Sequence, residues 1–353
     1  MKRFRRRASF AAVLSMVVLM PAACASDGDG SADQAAGDGA PAVAAVTEPA
    51  NAGFAAWLAE LRAEARQRGI SEATLDAALD GVQPIQRVIE LDRKQPEGTM
   101  TFEQYLDRVV PQGRIDKARQ RLVENRALLE KVEQRFGVEA EFIVALWGIE
   151  SDFGEHMGNF PVIDALCTLA YDGRRSAFFR AELFHALTIL DEGHIDADSM
   201  EGSWAGAMGQ AQFMPSSFVS YAIDFDGDGR RDIWTTREDV FASAANYLAT
   251  IGWKHGEGWG RQVRLPAGFD AAAAAAEEAP RPVSAWRAKG LRTVLGAPLP
   301  AAEDNRLATL VLPGGEGGPA YLAYDNYRVI LRWNRSNYFA LAVAQLAERI
   351  RDR

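Results

Sequence analysis

From Phe142 to Ile149 every position but Gly148 carries an apolar side chain, and the run ends on Glu150, followed at once by Ser151-Asp152-Phe153-Gly154. A helix of that composition is apolar all round, so it belongs inside the molecule rather than on its surface. Elsewhere the pattern is amphipathic. It predicts helices over 52–68, over 72–80 with Ser71 as N-cap, over 114–136, 139–150, 176–191 and 238–251. After Gly252 the character changes to short β-leaning runs, 261–265, 308–312 and 327–332, separated by Gly/Pro-rich turns and the low-complexity run Ala271 to Ala276. Helical spacing returns over 336–349. The expected class is mainly α (α+β), with a small β-rich subdomain over 252–332 inserted before a C-terminal helix.

Glu150 is the strongest catalytic candidate on position alone. Burial disfavours its charged form, the C-terminal end of a helix carries partial negative charge, and Asp152 adds a like charge nearby. All three push its pKa upward, and a carboxyl group that keeps its proton near neutral pH is what general-acid chemistry needs. The competing reading is a buried glutamate neutralised by an arginine, with Arg174 and Arg175 available.

A second segment, Gly202 to Phe218, is rich in small residues and punctuated by Ser203, Gln210 and Gln212. Such a stretch lets backbone approach a ligand and offers neutral hydrogen-bonding groups. GIESDFG (148–154) together with GAMGQAQFMPSS (206–217) resembles the membrane-bound lytic murein transglycosylase B family, whose members cleave bacterial peptidoglycan. The segments 71–95, 160–175, 225–234, 243–253 and 332–346 resemble family segments in the family's order, so the likeness spans roughly Ala52 to Ile350. It implies a lysozyme-like catalytic core with an N-terminal helical region. It also implies cleavage of the β-1,4 bond between N-acetylmuramic acid and N-acetylglucosamine, with formation of 1,6-anhydromuramyl ends. No cofactor is implied for the chemistry. The implied partners are glycan strands and, in their company, the cell-wall synthetic or lytic machinery.

Length and composition fit a secreted globular protein: 353 residues, 48% hydrophobic and 25% charged. Lys2, Arg3, Arg5, Arg6 and Arg7 precede an apolar run from Phe10 to Met20 and then Pro-Ala-Ala-Cys24, which is the build of a signal peptide over 1–23. Cys24 after small residues points to lipidation and a membrane anchor on the periplasmic side of a bacterial envelope. Pro21 stands where such signals usually carry an aliphatic residue, which leaves ordinary cleavage after Ala23 or Ala25 open. Residues 24–50 read as a flexible tether, and 51–350 as the catalytic unit. The net charge of −9 becomes −14 without the leader, which argues against nucleic acid as a partner. Cys167 reads as a core residue.

The loop Asp224-Phe-Asp226-Gly-Asp228-Gly229-Arg230 opens like an EF-hand, with carboxylates at positions 1, 3 and 5 and Gly at 6, and points to structural Ca²⁺. Position 12 is Thr235 and cannot close the shell. The resemblance supplies a later acidic residue, Asp239, with Glu238 as the alternative, and Arg230 as a further ligand. It also assigns the cleft: Ser203, holding the acid's carboxyl group, and Gln212 beside it. Tyr105, Tyr247, Asn334 and Tyr338 match further cleft positions. Trp333 stands in a sugar-stacking place where Tyr is expected, and Arg174 with Arg175 matches a basic pair suited to the acidic lactyl and peptide groups of the wall. Taken singly, Tyr247 and Tyr338 at helical spacing read more readily as core than as cleft.

Overall fold

The computed structural model describes residues 48–93, 100–277 and 279–351. The expected signal peptide, most of the tether and Cys24 lie outside them. Four helices open the described chain: α1 (Glu48–Gln67), α2 (Glu72–Leu79), α3 (Gln86–Arg93) and α4 (Phe102–Val109). Ser71 caps α2 as expected, its hydroxyl accepting the Thr74 N–H. Thr101 and Gln104 form a reciprocal capping box at the start of α4.

The expected helix over 114–136 is two helices, α5 (Gln112–Glu124) and α6 (Arg126–Phe136). Asn125 divides them, at φ −108° and ψ 13°, with its side-chain amide donating to the Arg121 carbonyl at 2.8 Å. An asparagine that bonds local backbone competes with helix continuation. Gly137 then stops α6 in the left-handed conformation.

The apolar segment is α7 (Ala140–Ser151), buried from Phe142 through Gly148. α5, α6, α11 (Arg237–Thr250) and α15 (Asn337–Arg351) pack around it. Gly148, the one gap in the apolar run, leaves the room that the Phe153 ring occupies: a Cβ there would sit 2.7 Å from it. α8 (Val162–Asp172), α9 (Ser176–Asp191) and α10 (Pro215–Tyr221) complete the wall beyond α7. A two-residue antiparallel ladder joins β1 (Phe160–Pro161) to β2 (Glu201–Gly202). There Gly158 lies so close to the Gly202 backbone that a Cβ would meet its carbonyl oxygen at 2.1 Å.

The β-rich part is a five-stranded antiparallel sheet ordered β4-β6-β7-β3-β5. Its strands are β3 (Gly260–Arg264), β4 (Arg281–Pro282), β5 (Arg292–Thr293), β6 (Leu307–Val311) and β7 (Ala320–Ala323). The sheet has its own apolar cluster, which includes Val263, Trp286, Leu310 and Leu322. The alanine run is helix α12 (Ala271–Ala276), capped by the Asp270 side chain, and α13 (Val283–Ala288) follows β4. The expected strand over 327–332 is instead part of α14 (Asp325–Trp333). Tyr327, Ile330 and Trp333, three apart, bury one stripe in the main core, so the 3.6-residue period overrides the β propensity of Tyr, Val and Ile. The main core is mostly helical and runs through α15.

Candidate functional site

Glu150 occupies the last turn of α7. It is partly exposed, yet protein packs densely around its carboxyl group. No arginine or lysine pairs with it among the described residues. Its hydrogen bond comes from the Trp333 indole, whose Nε1 donates to Oε1 at 2.7 Å. Burial pushes the Glu150 pKa up to about 8, with the indole bond offsetting a part of that rise. At neutral pH the group therefore holds its proton.

Asp152, two residues on, has the opposite fate. α7 ends in a left-handed turn, Asp152 at φ 50° and Phe153 at φ 65°, which swings Asp152 away toward α5. There Lys117 Nζ donates to it at 3.0 Å and Arg114 Nε at 3.3 Å. Burial pulls its pKa up, but the Lys117 hydrogen bond and the two positive charges outweigh that and hold it below the usual carboxylate range. Two consecutive non-glycine residues with positive φ store strain of order 1–3 kcal/mol each, a pattern found where geometry matters more than stability. One carboxyl group is neutral and one charged, set by environment alone.

The loop after β2 is tied to both flanks of Glu150. Gln210 Oε1 accepts from Trp147 Nε1 at 2.7 Å, and the Gln210 carbonyl accepts from the Ser151 hydroxyl at 2.7 Å. The sequence singled out Gln210 only as a polar group in a small-residue stretch, and its service as a clasp on α7 was not legible there. Gln212, at φ 48°, donates through Nε2 to the carbonyls of Met157 and Gly209, both at 2.9 Å. Ser203 does not hold the acid as expected. Its hydroxyl accepts the Ala205 and Ala207 N–H groups, a tight turn closing on its own side chain, and Trp333 takes the place expected of it.

Trp333 is in turn more than a stacking platform: it is buried, with Tyr247 at 4.7 Å and Phe213 at 5.3 Å between ring centroids. The Tyr247 hydroxyl donates to the Arg332 carbonyl at 3.0 Å, fixing the end of α14 to α11. Asn334 ends that helix, its Oδ1 accepting the Ser336 N–H. Tyr105 and Tyr338 pack 5.4 Å apart. Burial, and then the nearby Glu150 charge, hold the Tyr105 phenol well above its ordinary range, which locates Tyr105 beside the acid.

Arg174 and Arg175 are not free to receive an acidic ligand as a pair. Both clamp the buried Asp92 at the end of α3, Arg174 through its carbonyl at 2.5 Å and its carboxylate at 3.3 Å, Arg175 through the carboxylate. A buried carboxylate needs such partners, and nothing local in the sequence marks Asp92 as one. These arginines are likewise spent before they could neutralise Glu150.

The acidic loop gathers Asp224, Asp226 and Asp239, whose carboxylate oxygens lie within 4.8 Å of one another. Asp239 is fully buried and accepts the Phe225 and Asp232 N–H groups, both at 2.7 Å. Burial, together with the charges of Asp226 and Asp224, outweighs those bonds and raises its pKa to about 6. The alternative ligand Glu238 is exposed and outside the group. Asp228 is exposed, accepts the Arg230 N–H at 2.7 Å and lies outside that group of three. Crowded oxygens of one sign around a buried carboxylate fit a hard divalent cation.

This chain is similar to known proteins. The model of the transglycosylase SLT domain family matches residues 53–348. Membrane-bound lytic murein transglycosylase B of Escherichia coli (strain K12) is 34% identical over 228 residues, 63% of this chain and 60% of that protein, so the match spans less than two thirds of the relative's length. The crystal structure of SltB3 from Pseudomonas aeruginosa in complex with NAG-anhNAM-pentapeptide is similar, with a TM-score of 0.82 and 45% identity, covering 85% of this chain and 80% of that one. So is the lytic transglycosylase SLT35 of Escherichia coli in complex with calcium, with a TM-score of 0.71 and 28% identity, covering 85% and 92%. A family match over nearly the whole described chain means that this chain belongs to the transglycosylase SLT domain family.

Proposed function

We propose that this protein is a peptidoglycan lytic transglycosylase, and the observation that carries the reading is Glu150, a neutral carboxyl group that no arginine or lysine pairs with among the described residues and whose neighbour Asp152 is committed elsewhere. Ordinary glycosidases flank the scissile bond with two carboxyl groups, one of them a nucleophile or a base for water. Asp152 is committed to Lys117 and Arg114. The substrate then supplies its own nucleophile. Glu150 gives its proton to the glycosidic oxygen between N-acetylmuramic acid and N-acetylglucosamine, and the bond to the anomeric carbon breaks. The muramyl acetamido group stabilises the positive centre. Glu150, now a carboxylate, takes the proton from the muramyl 6-hydroxyl as that oxygen closes on the anomeric carbon. The product is a 1,6-anhydromuramyl end, and no water is consumed. A tethered hydroxyl reacts at an effective molarity far above that of a free reactant when it is held in line.

Tyr105, Gln212, Asn334 and Tyr338 line the glycan path beside the acid in this reading, with Tyr247 and Trp333 behind them. A calcium ion on Asp224, Asp226 and Asp239 holds the loop between α10 and α11 and takes no part in the chemistry. The SLT35 complex with calcium supports it. The protein works on the periplasmic side of a bacterial envelope, lipid-anchored through Cys24. No helix of the described residues is long and apolar enough to cross a membrane.

The deciding experiment incubates mature protein with isolated peptidoglycan and weighs the soluble muropeptides. Products lighter by one water and lacking a reducing end are expected. Reducing-end products instead make the protein a muramidase, and tight sedimentation with the wall without soluble products makes it a binding module.

A further inference from the structure

We propose that Trp333 is a positioning residue that fixes which oxygen of Glu150 carries the acid proton; the proposal rests on the reading of Glu150 as the acid. An indole N–H is donor only. Bonded to Oε1 at 2.7 Å, it favours there the carbonyl oxygen of the neutral acid, a far better acceptor than the hydroxyl oxygen, so Oε1 is the carbonyl oxygen and the proton sits on Oε2. A hydroxyl in the same place could turn round and accept a proton from Oε1. Tryptophan removes that alternative, and proton delivery becomes one-sided. After transfer from Oε2 to the glycosidic oxygen, the same N–H bonds the new carboxylate, and Oε2 is the oxygen that recovers the proton of the 6-hydroxyl.

The indole is held in this attitude from several sides. Tyr247 and Phe213 pack on it, and the Tyr247 hydroxyl pins the preceding carbonyl, that of Arg332. The Arg332 guanidinium donates to the Ile251 carbonyl at 2.8 Å, a second tie to the end of α11. The other titratable groups around the pair do not compete near neutral pH. Burial keeps Tyr105 on α4 and Tyr247 on α11 protonated, while Asp152 is already ionised against Lys117 and Arg114 on α5.

The test combines a spectrum that needs no activity with a kinetic readout. Among the eight indole N–H signals of ¹⁵N-labelled protein, the one missing in Trp333→Phe should move with pH, with a midpoint matching the alkaline limb of the rate profile. In Glu150→Gln it should be invariant. Trp333→Phe keeps an aromatic ring against Phe213 and Tyr247 but loses the donor. It should lower kcat about 10–100-fold, leave KM near wild type and shift the alkaline limb upward by about one pH unit, because the carboxylate has lost a stabilising bond. Trp333→Tyr should recover part of kcat. An indole signal that ignores Glu150 overturns the proposal, and so does a Trp333→Phe variant with wild-type kcat. A loss of kcat with an unmoved alkaline limb also overturns it and makes Trp333 merely structural. Substantial activity in Glu150→Gln defeats the reading of the acid itself, which the indole titration reports on separately.

Discussion

Two regions of this molecule hold a carboxyl group far above its ordinary pKa, and they do it for opposite reasons. Glu150 is alone: burial withdraws water, one neutral indole donor replaces it, and no cation answers the charge. Asp239 is crowded: it is buried too, but Asp224 and Asp226 press their charges on it, and two backbone N–H groups hold its carboxylate while leaving a lone pair on each oxygen. The first arrangement favours a proton that can be given away. The second favours a divalent cation, which relieves three like charges at once. Isolation makes an acid, and crowding makes a metal site.

Removing the isolated group should have the largest effect. Glu150→Gln should lower muropeptide release by at least about 10²–10⁴-fold, the usual contribution of general acid–base catalysis, while glycan sedimentation and the folded spectrum persist. Retention of a tenth of wild-type turnover would remove Glu150 from the acid role. Next comes pH. The reactive form is the protonated one, so kcat should fall about tenfold per unit above pH about 8. A limb near pH 5 would mean that Glu150 is ionised at neutrality.

The crowded region should respond through stability. Adding Ca²⁺ at about 100 times its dissociation constant should stabilise the fold by about 2.7 kcal/mol. Asp239→Asn should abolish that gain, and the chemistry per folded molecule should be unchanged. Identical melting curves in millimolar Ca²⁺ and in excess chelator would defeat the metal reading. A last effect returns to Glu150. Its pKa is raised on folding, so the folded state binds a proton more tightly and loses stability as pH rises from the unfolded value near 4.5 to about 8. Glu150→Gln should therefore melt no higher than wild type at pH 4 and above it at pH 9, by about 2–4 °C for each kcal/mol that the ionised wild-type carboxylate costs. A constant difference across that range would show that Glu150 is not the titrating group.

How much of this was legible depended on how local the cause was. The apolar run closing on Glu150 is a local pattern, and it gave both the buried helix and the acid. The Ser71 cap and the Asp224/Asp226 opening of the acidic loop are local too. The break at Asn125 hid inside a continuous helical period because a single side chain bonding to Arg121 decides it. The stretch 327–332 misled by composition: its β-branched and aromatic residues outweighed a three-residue spacing that only packing enforces. The least legible features were pairings across the chain. Asp92 with Arg174 and Arg175, Asp152 with Lys117, and Gln210 with Trp147 redirect residues that the resemblance had placed in the cleft or left without a role. Resemblance located the neighbourhood, and the hydrogen bonds assigned the duties within it.

The bond between Trp333 and Glu150 joins positions 183 residues apart, and that separation has a consequence for when the Glu150 centre is assembled. Contacts of such range form late, because a long loop must close before they are rewarded. On a nascent chain α7 emerges well before α14, so for that interval the acid exists without its donor and without the helices that bury it. Shortened chains ending before Asp325 should accordingly bind wall poorly and release no muropeptides, whereas a short chain with full activity would show that the early helices suffice. Timing is thereby written into topology: on the proposed reading, the reactive centre is complete only once α14 has followed α7 and packed against it.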